Sequence, residues 1–434
     1  MFYNQEIETL SKDRLRQLQN DRLVDLLRNL NQSVPFYQSS FSKEGIEIDR
    51  IKHVEDLHKL PFTKKDDLRD NYPFGLMAVP MDEINRIHCS SGTTGKPTVV
   101  GYTKQDIEIF TEVVARSLVT AGAKPGMKLH NAYGYGLFTG GLGLHYGAEK
   151  LGMSVIPVSG GMTDRQLMLL EDFRSEVISC TPSYALTLAE EVKKRGVELN
   201  LKYAVLGAEP WTDSLRMEVE RGLGVKATNI YGLSEIIGPG VSQEDYEEQS
   251  GSHIWEDHFF PEIVDRDSGE PLAEGKDGVL VFTTLTKTGM PLLRYWTNDI
   301  THLFYDSDSK RSHIKMGPIK GRADDMLIIR GVNLFHTQVE ELLQDDDNLS
   351  TNYQLVVTRK GNLDQVEVKV ELQEKLYSQI EFSQADEMVK NTGSLLAERI
   401  KNNLGLSMIV SIVNKNEVPR SVGGKLSRID DQRN

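Results

Sequence analysis

Between about residues 104 and 230, helical stretches alternate with short apolar runs, and that rhythm restricts the fold more than any other property of the chain. Lys104–Ala121 has helical spacing, Ser154–Val158 reads as a strand, and Asp164–Leu170 as a helix. Val177–Cys180 is again a strand, Ser183–Lys194 a helix, Tyr203–Leu206 a strand and Asp213–Arg221 a helix. Such an order implies a largely parallel sheet covered by helices. Ahead of it, Leu10, Leu15, Leu18, Leu23, Leu26, Leu27 and Leu30 recur at roughly helical spacing among charges, which predicts an amphipathic helix packed on the body. Between about 250 and 320 the texture becomes alternating, as in Gly278-Val279-Leu280-Val281-Phe282-Thr283, and suggests an antiparallel, barrel-like region. A polar break from Arg322 to Arg330 leads into the last part of the chain. There Gln354–Val357, Gln365–Glu371 and Met408–Val413 read as strands and segments near 337–344 and 384–403 as helices, a small α+β domain of its own. A length of 434 residues exceeds one ordinary core, so two or three domains are expected.

The bulk chemistry removes several classes of function. A net charge of −14 argues against nucleic acid or an anionic membrane as partner, because both need a basic face. Cys89 and Cys180, the two cysteines, cannot build a Cys-rich zinc site or a disulfide framework and suit a reducing compartment. The N-terminal MFYNQEIETL lacks a basic region followed by an apolar run, and no segment approaches the roughly 18 apolar residues of a membrane span. The expectation is a cytoplasmic protein, in which the sequons at Asn31 and Asn348 are chance matches.

Five segments carry the chemistry. Ser90-Ser91-Gly92-Thr93-Thr94-Gly95-Lys96 packs four hydroxyls, two glycines and a lysine into seven residues. Glycines let the backbone curl round a ligand with its N–H groups inward, and hydroxyls and an ammonium add donors without bulk, which suits polyphosphate. It is not the common phosphate loop, since two residues rather than four separate its glycines and Pro97 follows the lysine. Tyr231-Gly232-Leu233-Ser234-Glu235 offers an aromatic plate for adenine and a carboxylate for Mg²⁺. Arg294-Tyr295-Trp296-Thr297-Asn298-Asp299 ends in a carboxylate able to accept both hydroxyls of a ribose. Gly321-Arg322-Ala323-Asp324-Asp325 crosses the polar break, and Gly423-Gly424-Lys425 sets a lysine on a glycine-supported turn near the C-terminus.

In this order the five segments resemble the adenylate-forming enzymes, the superfamily of acyl-CoA synthetases and peptide-synthetase adenylation domains. Within it the chain is most similar to the phenylacetate–CoA ligase family. Ser33-Val34-Pro35-Phe36-Tyr37, the run Asp56–Arg69 continuing to Leu76, and Glu256-Asp257-His258-Phe259-Phe260-Pro261-Glu262 carry the likeness further. The resemblance implies an α/β fold with a large N-terminal adenylate-forming domain, residues 1–323, and a mobile α+β domain, residues 324–434, turning on a hinge at Asp324. It implies that Ser90, Ser91, Gly92, Thr93, Thr94, Gly95 and Lys96 hold the phosphates of ATP and that Glu235 binds Mg²⁺. Gly207, Ala208, Glu209 and Pro210 would border the adenine, with Tyr231 stacked on it beside Gly232, while Asp299 binds the ribose assisted by Arg322. Lys425 would reach between the acid's carboxylate and the α-phosphate, a fixed cation where negative charge crowds. Rotation at the hinge would then withdraw Lys425 and bring Gly331-Val332-Asn333 toward the site for attack by CoA. A homodimer is also implied.

The acyl pocket is read from composition: Tyr133, Tyr135 and Phe138 as plates, Gly140 as space, and Ala208, Ile236 and Gly238 as facing walls, a slot for an aryl or arylalkyl acid such as phenylacetate. Some positions depart from the family's wording. Where relatives have Arg-Tyr-Arg-Thr-Gly-Asp, this chain places Trp296 and Asn298, and His336 follows Phe335 where proline is usual. A cysteine cluster that some relatives carry for zinc is absent between 250 and 316, and His302 and His313 alone do not make a zinc site. The activity expected is an ATP-dependent acid–CoA ligase. An adenylating enzyme that delivers its acyl group to a carrier-protein thiol or an amine is the alternative.

Overall fold

The computed structural model describes residues 1–89, 97–323, 327–329, 332–343, 346–360, 363–377, 379–380, 382–383, 386–422 and 425–433. Every strand expected between 104 and 230 lies in one mixed sheet. Its order among the described residues is Leu303–Phe304, Lys315–Met316, Ser252–Ile254, Gly238–Glu244, Lys226–Leu233, Tyr203–Gly207, Val177–Cys180, Lys128–Asn131 and Ser154–Ile156. From Lys226–Leu233 to Ser154–Ile156 neighbours run parallel, and all four residues of Val177–Cys180 are buried, as a strand covered on both faces must be. Three of the covering helices start where the sequence supplies caps. Thr103 and Asp106 form a capping box before Lys104–Thr120, Thr181 caps Pro182–Arg195, and Thr212 caps Asp213–Leu223. The N-terminal helix Lys12–Ser33 buries Leu15, Leu23, Leu26, Leu27 and Leu30 against the body.

The region from 250 to 320 divides between two sheets. Phe259–Val264, Gly278–Thr284, Tyr295–Thr301 and Gly321–Arg322 form the expected antiparallel sheet. Ser252–Ile254, Leu303–Phe304 and Lys315–Met316 instead extend the large sheet by antiparallel pairing beyond Gly238–Glu244. Their buried backbone groups need ladder partners, and that sheet's edge supplies them. The last hundred residues build a separate apolar core, in which Leu349–Lys360 and Leu363–Leu372 are flanked by Ile409–Val413 and Ile429–Asp431 and packed against helices His336–Leu343 and Glu387–Leu404. Among the described residues no helix is long and apolar enough to cross a membrane.

Candidate active site

Among the described residues, Tyr133, Gly207–Glu209, Tyr231, Glu235 and Asp299 gather where the parallel strands end, at the edge facing the antiparallel sheet. Strand Tyr203–Gly207 lies beside Lys226–Leu233 with Gly207 opposite Ile230. A Cβ on Gly207 would stand 2.0 Å from the Ile230 carbonyl oxygen, a backbone atom that cannot yield, so only glycine permits this approach. Ala208 then turns into the left-handed region at φ 76°, a strained position for a residue with a Cβ, and lifts Glu209 out of the strand. The Glu209 carboxylate accepts hydrogen bonds from the backbone N–H and the hydroxyl of Ser183, at the start of helix Pro182–Arg195. Its other oxygen accepts the N–H of Leu426 at 3.1 Å.

Tyr133 reaches the same place, its hydroxyl donating to the Gly207 carbonyl at 3.2 Å. The loop that presents it is held from inside by fully buried Asn131. Its amide donates to the Tyr135 hydroxyl and the Gly141 carbonyl, and its oxygen accepts from the Ser179 hydroxyl and the Tyr133 N–H. Tyr135 also meets His145, and burial pushes its phenol up to about 12. Phe138 is exposed just ahead of helix Thr139–Leu151. Gly140 has the Tyr133 ring at ordinary contact distance, so a methyl group would fit there. Ile236 is fully buried in the main core, and a Cβ on Gly238 would strike the Phe110 ring at 2.4 Å, so this wall is backed by packed side chains.

On the adjoining strand the Tyr231 hydroxyl donates to Asp299 Oδ2 at 2.6 Å. Arg322, paired with Asp299 across the antiparallel sheet, brings Nη1 to 3.6 Å from Oδ1. Burial and then the Asp299 charge push the Tyr231 phenol well up, which keeps it a neutral donor. Gly232 is held by close approach, since a Cβ there would meet the Gly238 carbonyl oxygen at 1.9 Å. Glu235 follows on a turn pinned by the buried Tyr102 hydroxyl, 3.1 Å from the carbonyl oxygens of Ser234 and Ile237. The Ser234 and Thr139 hydroxyls share a further hydrogen bond.

Sequence reasoning missed two groups round Glu235. Tyr295 turns its hydroxyl to the carboxylate, and burial followed by the Glu235 charge pushes that phenol well up. Lys287, 3% exposed, donates from Nζ to the Glu235 carbonyl at 2.8 Å, and burial lowers its ammonium to about 8 against the opposing pull of Asp106 and Glu235. The available signal was a lysine closing the apolar run that begins at Val279.

Ser90, Ser91, Gly92, Thr93, Thr94, Gly95 and Lys96, the hinge at Asp324 with the domain boundary before it, Gly331, and Gly423-Gly424 lie outside the described residues. Strands Arg86–Cys89 and Val99–Tyr102, which flank the first of these segments, pair with Cys89 opposite Val99, and the Cys89 N–H donates to the Leu137 carbonyl. Lys425 is exposed, one residue before Leu426, and Pro210 lines the cleft shared by Ser183, Glu209, His336 and Leu426.

The departures at 296 and 298 are partners. Trp296 Nε1 donates to Asn298 Oδ1 at 2.9 Å, and Asn298 adopts φ 68°, a left-handed conformation that asparagine tolerates best after glycine. The indole packs edge-on against Phe62 with ring centroids 4.9 Å apart. His336 meets the Tyr353 hydroxyl at 2.9 Å, and burial lowers its imidazole to about 4. His313, buried, spends its ring nitrogens on the backbone of Ile254, Glu256 and Ile7. Among the described residues no group of three His, Cys, Asp or Glu is placed to hold a metal ion.

The fold and this site define an adenylate-forming enzyme, and comparison with known proteins agrees. The AMP-binding enzyme family matches residues 16–286 and the AMP-binding enzyme C-terminal domain matches 331–433. The phenylacetate-coenzyme A ligase of Thermus thermophilus is 60% identical, with 100% of each chain covered. That of Escherichia coli is 50% identical over 99% of this chain and 97% of its own. In structure, 2-hydroxyisobutyryl-CoA ligase in its postadenylation state superposes with a TM-score of 0.92 at 24% identity, covering all of this chain and 92% of that one. The same protein with CoA in its thioesterification state superposes at 0.73, with 25% identity and the same coverage. The chain belongs to the phenylacetate–CoA ligase family of AMP-binding enzymes.

Proposed function

We propose that this chain activates phenylacetate or a close arylalkyl acid with ATP and passes the acyl group to CoA. It is an ATP-dependent, AMP-forming aryl acid–CoA ligase. The observation that carries the reading is 60% identity to a phenylacetate-coenzyme A ligase along the whole of both chains. In the first half-reaction a carboxylate oxygen of the acid attacks the α-phosphorus, the bond from that phosphorus to the α,β-bridging oxygen breaks, and pyrophosphate leaves. In the second, the CoA thiolate attacks the acyl carbon and AMP leaves.

Most of the work is positioning and charge neutralisation. Tyr231 stacks on adenine between the Gly207–Pro210 turn and the sheet, and its hydroxyl holds Asp299 in place for the ribose. Arg322 holds the other oxygen of that carboxylate. Ser90, Ser91, Thr93, Thr94 and Lys96 take the β- and γ-phosphates. Lys425 neutralises the α-phosphate as the acid attacks, and a turn at Asp324 withdraws it for the second step. The ring of the acid lies along Tyr133, Tyr135 and Phe138. Glu235 fits a magnesium ion, since that cation commonly takes one or two carboxylates and keeps its other positions for water and phosphate oxygens. Bound there, magnesium would screen the phosphate charge. The two cysteines, both free, agree with a reducing cytoplasm, and the homodimer rests on family resemblance.

The test is pyrophosphate release from ATP and Mg²⁺ over a panel of aryl, arylalkyl and fatty acids, with and without CoA. Phenylacetate should lead the panel and phenylacetyl-CoA should accumulate. Pyrophosphate release with no thioester at saturating CoA would overturn the assignment of the acceptor, and preference for a fatty acid that of the acid.

A further inference from the structure

We propose that Glu209 is the positioning residue that seats the Lys425 turn for adenylation, rather than only a border of the adenine pocket; this rests on the ligase reading above. The observation is a carboxylate used on both sides. One oxygen is committed to Ser183, through both the backbone N–H and the hydroxyl, and the other accepts the Leu426 N–H at 3.1 Å. These partners are 217 residues apart, so the bond joins the main body to the C-terminal unit.

Its place on both sides is prepared. Ser183 opens a helix, whose N-terminal N–H groups favour a carboxylate. Ala208, at φ 76°, directs Glu209 away from the strand toward the C-terminal unit. On the far side, the turn is tied down within its own unit at both ends. Arg420 is paired with Glu371, and residues Ile429–Asp431 run parallel to Leu349–Lys360. Between those two anchors, Glu209 is the carboxylate from the main body that takes a backbone N–H next to Lys425.

Besides the Thr187 hydroxyl's bond to the Ser421 carbonyl and the Arg420–Glu190 ion pair, which meet the segment before Lys425, the surrounding bonds across the same cleft differ in kind. Thr212 donates to Glu340, Thr351 to Glu218 and Asn352 to Glu190, each from a side chain that can rotate away. A bond to the backbone N–H of Leu426 instead constrains the chain that carries Lys425. The ammonium is therefore placed when this bond is made and released when it breaks. Glu209 acts through Lys425 and takes no part in the chemistry.

The test uses the full-length enzyme with Glu209→Gln and Ser183→Ala. Glutamine keeps one accepting oxygen and puts a non-accepting NH₂ in place of the other, so Glu209→Gln loses one of the two anchors while keeping its size. Hydrogen exchange across residues 421–428, without substrates, should be about tenfold faster in Glu209→Gln, which is the loss of roughly one charge-assisted hydrogen bond. Pyrophosphate exchange with phenylacetate should fall about 10- to 100-fold in kcat, the scale of a misplaced catalytic group, with the ATP KM held within about threefold. Thioester formation from supplied phenylacetyl-adenylate should keep its wild-type rate. Ser183→Ala should move the first two readouts in the same direction by less. Exchange at 421–428 equal to wild type, a rise in ATP KM at constant kcat, or equal loss in both half-reactions would each overturn the proposal. Hydrogen exchange decides it even if phenylacetate is not the acid, because that readout needs no substrate.

Discussion

Tyr231→Phe isolates one atom of the nucleotide site. The substitution keeps the aromatic plate and removes only the hydroxyl that donates to Asp299 at 2.6 Å. Hydrogen bonds to a charged acceptor contribute about 1.5–3 kcal/mol. The low end applies, because Arg322 still stands 3.6 Å from the second oxygen of Asp299 and continues to orient it. A loss of about 1.5 kcal/mol corresponds to roughly a tenfold rise in the ATP KM. Since the ring still stacks and Lys425 is untouched, kcat at saturating ATP should stay within about threefold, as expected when binding is lost equally from ground and transition states. The assay is initial-rate pyrophosphate release with saturating acid and varied ATP. Burial and the Asp299 charge hold the Tyr231 phenol above its usual range, so the wild-type ATP KM should show no inflection from the Tyr231 hydroxyl between about pH 6 and 9. An unchanged ATP KM, or a rise in the KM of the acid instead, would refute the linkage of Tyr231 through Asp299 to the nucleotide.

Two further outcomes concern stability. Burial pushes the Glu256 carboxyl up to about 7, well above the range of a free glutamate. The folded state therefore holds a proton that the unfolded chain has released, so this group's contribution is full below about pH 4.5 and falls by about 3 kcal/mol as pH rises to about 7. Urea unfolding at pH 5, 6, 7 and 8 should show Glu256→Gln lacking that part of the slope; parallel curves for the two proteins would count against it. For the Trp296–Asn298 pair, a double-mutant cycle with Trp296→Phe and Asn298→Gly should give a coupling of about 0.5–1.5 kcal/mol. Strict additivity would mean that the 2.9 Å bond contributes nothing to stability.

What the sequence determined by itself is local. Val177–Cys180 was legible as a strand because it is a short, largely apolar run between two helical stretches, and the helices Lys104–Thr120, Thr163–Phe173, Pro182–Arg195 and Asp213–Leu223 were legible from periodicity, whereas Thr139–Leu151, rich in glycine, was not. Tyr231, Asp299, Arg322 and Glu235 were nominated by type and order. Tertiary structure alone decided what those residues do to one another. Tyr231 and Asp299 are 68 residues apart, Glu209 and Leu426 are 217 apart, and no local spacing encodes either hydrogen bond. Nothing local to Lys287 marks it as a site residue, and folding alone placed its ammonium on the Glu235 carbonyl. Ser252–Ile254, Leu303–Phe304 and Lys315–Met316 are too short to carry a pattern of their own, and the sheet they join follows from which edge offers backbone partners. Periodicity reports which face a segment buries. The partner on that face is selected by packing of the whole chain, which acts between residues that the sequence keeps far apart.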